Sequence, residues 1–128
     1  MNRETALRLL KTGKLSLEQM MEVGTIAKDL LVWKNIGDQI YWDKLSFQDR
    51  LKIGNTARNN SIWCAIVKSK GLSFEEMLSI GKIAQSNDIW LTILENEELS
   101  IDNLFTIGRI NESDEIWLKI AEIIEAKQ

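Results

Sequence analysis

Apolar residues recur along this chain at helical spacing, in segments of about eleven residues divided by short polar breaks. From Leu72 the stretch reads LSFEEMLSIGKIAQSNDIW. Phe74, Met77, Leu78, Ile80, Ile83 and Ala84 share one face of a helix, and Glu75, Ser79 and Lys82 share the other. After the polar pair Ser86-Asn87 a second pattern begins, in which Ile89, Trp90, Ile93 and Leu94 lie on one face and point the tryptophan inward. Two helices, A and B, therefore make one unit.

The frame returns. Leu-Ser stands at Leu15-Ser16, Leu45-Ser46, Leu72-Ser73 and Leu99-Ser100; glycine at Gly24, Gly54, Gly81 and Gly108; tryptophan at Trp33, Trp63, Trp90 and Trp117. All three series step by 30, 27 and 27 residues, a period that predicts stacked supersecondary units. The expected fold is all-α: an α-solenoid, wound as a right-handed superhelix, of four two-helix repeats over 15–44, 45–71, 72–98 and 99–128, in one domain spanning 1–128. Residues 1–14 form a half-repeat cap. Its helix runs from Arg3 to about Lys11 behind an Asn2 N-cap, buries Ala6, Leu9 and Leu10, and places Ala6 in the tryptophan slot.

Each A helix starts at a serine N-cap. Gln19 and Glu76 are long enough to close a capping box; Asp49 and Asn103 are short for it. Asn59-Asn60-Ser61, Ser86-Asn87 and Ser113-Asp114 supply cap chemistry for the B helices, whereas Lys28 to Leu31 lacks it and reads as a continuous or kinked helix. The glycines fall on the buried arc of helix A, where glycine costs about 1 kcal/mol against alanine. Four recurrences imply that a neighbouring helix or ring needs the space. Three extra residues enter the first repeat within 38–44, with Tyr41 and Trp42. They read either as an added turn of helix B packed on the core or as a projecting aromatic contact for a partner.

Composition supports helices, since the 128 residues include no proline. There is no histidine and a single cysteine, Cys64, which reads as a small half-buried side chain; no internal disulfide, metal site or cofactor is expected. No apolar run approaches the roughly 18 residues needed to span a bilayer, and the N-terminus lacks a signal-like apolar centre. A cytoplasmic location with no membrane partner is the expectation. Charge is divided: residues 1–71 hold 12 Lys/Arg against 7 Asp/Glu, a net of +5, while 72–128 hold 4 against 12, a net of −8. Such a division reads either as ordinary solvated faces or as a field that steers a charged partner or favours head-to-tail association of copies.

The units resemble leucine-rich variant repeats and, more loosely, HEAT-like repeats. The residues that carry the likeness are Ile93 to Asn96, Leu99-Ser100, Leu104, Ile107-Gly108, Ser113-Asp114 and Ile116-Trp117. Leu-Ser stands where the variant repeat has Thr-Pro, and tryptophan where it has arginine. The resemblance implies a curved solenoid with a binding surface.

Catalysis is not expected, nor is a small-molecule substrate. The acidic pairs Glu75-Glu76 and Asp114-Glu115 sit in first turns, where they answer the helix dipole. The function read from the chain is that of a protein–protein interaction module or adaptor, its partner another protein or a second copy. Its contact surface is predicted on helix B just after each tryptophan, at Lys34, Cys64, Leu91 and Leu118, together with Tyr41 and Trp42. The alternative is a nucleic-acid-binding HEAT-like protein with Lys28, Arg58, Lys82 and Arg109 along one basic edge.

Overall fold

The computed structural model describes residues 1–127. It is all-α; among the described residues there is no strand. The elements are α1 (Arg3–Lys11), α2 (Leu17–Ala27), α3 (Leu30–Gln39), a 3₁₀ turn (Trp42–Lys44), α4 (Phe47–Ala57), α5 (Asn60–Lys68), α6 (Phe74–Ala84), α7 (Asn87–Leu94), α8 (Ile101–Asn111) and α9 (Asp114–Ala126). The chain divides into two compact units, Met1–Gly71 and the stretch from Leu72 onward. That boundary is also where the net charge changes sign.

Local chemistry explains why four helix pairs look alike. The hydroxyls of Ser16, Ser46, Ser73 and Ser100 accept from the N–H three residues on, at 3.1–3.2 Å. Gln19, Glu76 and Asn103 reach back to the cap N–H and close capping boxes, so asparagine is long enough and only Asp49 fails to do so. The far ends of α2, α4, α6 and α8 are equally uniform. Lys28, Arg58, Gln85 and Glu112 take the left-handed conformation, with φ of 48–51°, and donate their N–H to the carbonyl of Gly24, Gly54, Gly81 and Gly108. For a residue with a Cβ this costs about 1–2 kcal/mol, and it turns the chain sharply into the next helix. The first pair breaks like the others, against the expectation of a continuous or kinked helix. Lys28 reverses the chain and Asp29 caps α3, its Oδ1 accepting from Leu31 and Val32.

The turn brings each tryptophan onto its glycine. A Cβ built on Gly24, Gly54, Gly81 or Gly108 would lie 2.4–2.6 Å from the ring of Trp33, Trp63, Trp90 or Trp117, closer than real carbons approach. The ring that needs the space belongs to the second helix of the same pair. Around this contact the core fills with the apolar positions of α3, α5, α7 and α9: Val32, Ile36, Ile62, Ile66, Ile89, Ile93, Ile116 and Ile120 are all 0–1% exposed.

Within the first unit α1 packs on α3 and α3 on α5, while α2 packs on α4. In α1, Asn2 caps as expected and Ala6 and Leu10 are buried, but Leu9 is 36% exposed because no described helix covers that side. The three inserted residues add no full turn to α3, which has 10 residues against 9 in α5. They form the separate 3₁₀ turn, whose Trp42 is buried and donates its Nε1–H to the Gly37 carbonyl at 3.0 Å. Arg50, where the other pairs have Met20, Met77 and Leu104, is also buried. It donates to the Leu45 carbonyl, to the Ser69 hydroxyl and to the Lys70 carbonyl at 2.9–3.2 Å, so its charge meets the carbonyl-rich end of α5. In the second unit α6 packs on α7, α8 on α9 and α7 on α9. There Ile83, expected in the core, is 44% exposed: it lies two residues beyond Gly81, at the margin of the buried arc.

Candidate interaction surfaces

The helix-B line of predicted contact residues is not uniform. Lys34 is exposed on α3 and Leu118 is 63% exposed on α9, but Cys64 on α5 and Leu91 on α7 are half-buried. A position one residue past an inward tryptophan lies on the flank of its helix, and there the neighbours decide how much of it shows. The insertion separates its two aromatics. Tyr41 is 77% exposed, with the Lys44 ammonium 5.3 Å from its ring centre, whereas Trp42 is a core residue and is withdrawn as a projecting contact. Tyr41 and Lys44 edge an open groove of about 630 Å³ whose other wall includes Leu15, Leu17 and Met20.

The proposed basic edge falls into two registers. Lys28 and Arg58 are the left-handed residues that end α2 and α4, four positions after the glycine. Lys82 and Arg109 stand one position after it, inside the last turns of α6 and α8, and the left-handed positions of those pairs are Gln85 and Glu112. No single column of four cations exists.

What the spacing missed is an uneven distribution of exposed apolar side chains. Met1, Leu9, Ile26, Leu30, Leu31 and Tyr41 lie in the first 41 residues and Ile101, Phe105, Ile110 and Leu118 in 101–118; between them only Ile83 is exposed. Register accounts for much of this. Leu17 and Met21 of α2 are half-buried in a groove against Asp49, Lys52 and Ile53 of α4. Their counterparts in α8 are Ile101 and Phe105, and no described helix takes that place. Phe105 instead meets Trp117 edge-to-face, with centroids 5.3 Å apart and planes at 71°, and Trp117 is the one tryptophan of the series left half-buried. Comparing each landmark column from end to end, rather than within one repeat, is the signal that would have exposed these residues.

Electrostatics singles out Asp29. Arg3 Nε donates to Asp29 Oδ2 at 2.8 Å, and this bond, with those from the Val32 and Leu31 N–H groups, holds the Asp29 carboxyl below its ordinary range. Its role is to cap α3 and tie α1 to it. Among the described residues no group of three or more His, Cys, Asp or Glu could hold a metal ion, and no helix is long and apolar enough to cross a membrane. Comparison with protein-family profiles, with curated proteins and with solved structures returns no match.

Proposed function

We propose that this chain is a small helical-repeat interaction module, an α-solenoid of the leucine-rich-variant or HEAT-like kind, that binds other protein rather than transforming a substrate. The observation that supports this is the exposed apolar set of the last helix pair. Ile101, Phe105 and Leu118 occupy one face of α8 and the flank of α9, at positions whose inner counterparts are charged or half-buried. Apolar and aromatic side chains that a fold leaves uncovered next to one another are where interfaces concentrate their binding energy. The split of the four cations into two registers weighs against the nucleic-acid alternative, because phosphate binding draws on several cations along one track.

The test is affinity capture from the native host with the immobilised chain, beside Phe105→Glu and a salt titration against DNA and RNA. A protein that stays bound as salt rises and is lost with Phe105→Glu is the expected result. Nucleic acid retained at low salt and released steeply as salt rises, with no protein captured, would overturn the reading.

A further inference from the structure

We infer that the partner of the α9 face is the α1 face of a second copy, so that copies join head to tail. This deepens the binding reading above and rests on it. The contact already exists inside the chain: α5 packs on α3, and a Cβ on Gly37 would lie 3.2 Å from Ile62 Cδ1 and 3.5 Å from Ala65 Cβ. Thus the position four residues after the tryptophan of one helix receives the residues one before and two after the tryptophan of the next. In α7 that first position is Leu94, buried under α9, whereas in α9 it is Ala121, small and exposed beside Leu118. No described helix covers it.

The opposite half of the contact is uncovered in α1. The positions filled in α3, α5, α7 and α9 by fully buried Val and Ile are Thr5 and Leu9 in α1, and both are exposed, with Arg8 between them. Applied to α9 and the α1 of another copy, the α3–α5 offset sets Ala121 against Thr5 and Arg8. The same offset brings Leu118 towards the start of α1. Charge fits as well. Arg8 and Lys11 in the last turn of α1 face Glu122 and Glu125, the exposed acids that continue the Ala121 side of α9. Residues 1–14 carry four cations against Glu4, while 99–128 carry Arg109, Lys119 and Lys127 against six acids. The two faces differ, so the contact is heterologous and passes from copy to copy instead of stopping at a symmetric dimer.

Sedimentation velocity on the purified full chain tests this, with Arg8→Glu to block the α1 face and Leu118→Glu to block the α9 face. Both positions are exposed, and melting curves check that the variants stay folded. The wild type is expected to exceed its 14.7 kDa monomer mass as concentration rises. Each variant alone is expected to associate at least about tenfold more weakly. An equimolar mixture of the two, each retaining one intact face, is expected to regain association and stop at twice the monomer mass. A wild type that remains monomeric up to about 1 mM overturns the second copy as partner. So does a mixture no better than its components, or variants that associate like wild type. Because the purified chain is tested alone, these failures leave capture of a different protein standing, and that reading fails only in its own experiment.

Discussion

The two compact units are assembled from the same helix pair but close their connections differently. In residues 1–71 polar side chains reach across the loops: Arg50 to Leu45, Ser69 and Lys70, Trp42 to the Gly37 carbonyl, Gln39 to the Leu10 carbonyl, Asp43 to the Lys70 N–H and Arg3 to Asp29. In the unit from Leu72 onward, Asn96 with the Met77 sulfur and Lys127 with the Leu99 carbonyl are long-range contacts of this kind among the described residues. The first unit is also where the frame is broken, by three inserted residues and by arginine in a Met or Leu slot. Irregular backbone leaves N–H and C=O groups that no helix ladder satisfies, and buried ones must find partners. The bonds of Trp42, Asp43 and Arg50 are the consequence of those departures, whereas the Gln39–Leu10 and Arg3–Asp29 bonds tie α1 to α3.

The comparison breaks most sharply at the tryptophans, which both units share. Trp63→Ala and Trp90→Ala should each cost about 3–5 kcal/mol in denaturant melts. Trp117→Ala should cost less, since its ring is half-buried. Equal losses at Trp90 and Trp117 would remove the distinction drawn between inner and last pairs.

Arg50 separates the units next. Arg50→Ala should lose about 2–3 kcal/mol, because a buried cation with three acceptors is deleted and those acceptors lose their donor. Arg50→Met, which restores the residue of the first and third pairs, should lose less, since an apolar side chain of similar size repacks the slot. A methionine variant as unstable as the alanine would mean that the hydrogen bonds, not the volume, hold that corner.

At the glycines the expected order is set by sterics. Gly81→Ala should destabilise by about 1–2 kcal/mol although alanine is the better helix former, because its methyl would enter the Trp90 ring, and Gly81→Leu should do worse. A stabilised alanine variant would show that the ring moves aside freely. At the left-handed positions the sign reverses: Gln85→Gly and Glu112→Gly should gain up to about 1 kcal/mol, measured as a raised melting temperature.

The smallest effect concerns acid and lies in the first unit, at Asp29. The Asp29 carboxyl titrates lower folded than unfolded, so its stabilisation is present above the ordinary carboxylate range and lost as pH falls through the lowered value. Asp29→Asn keeps an acceptor for the α3 cap but loses this dependence. Its melting temperature should therefore change less than that of wild type on acidification. Parallel pH profiles for the two proteins would remove the Arg3–Asp29 pair from the account.

Much of the local order is written in residues that act within one turn of themselves. The serine caps of α2, α4, α6 and α8, helix phase, the α1 bounds and the inward tryptophans follow from hydrogen bonds and periodicity of short range, and so were legible without coordinates, whereas Ser86 and Ser113 stand at the starts of α7 and α9 without a side-chain cap bond. The glycine column announced a close approach; only the tertiary structure named Trp33, Trp63, Trp90 and Trp117 as the rings that make it. Trp42 and Tyr41 are neighbours in sequence and indistinguishable by composition, yet one fills the core and the other stands in solvent, because the 3₁₀ turn aims their side chains apart. The same holds for Leu9, Ile83 and Phe105. Their apolar character and helical phase match buried residues elsewhere, and whether they are covered depends on a second helix that no local pattern supplies.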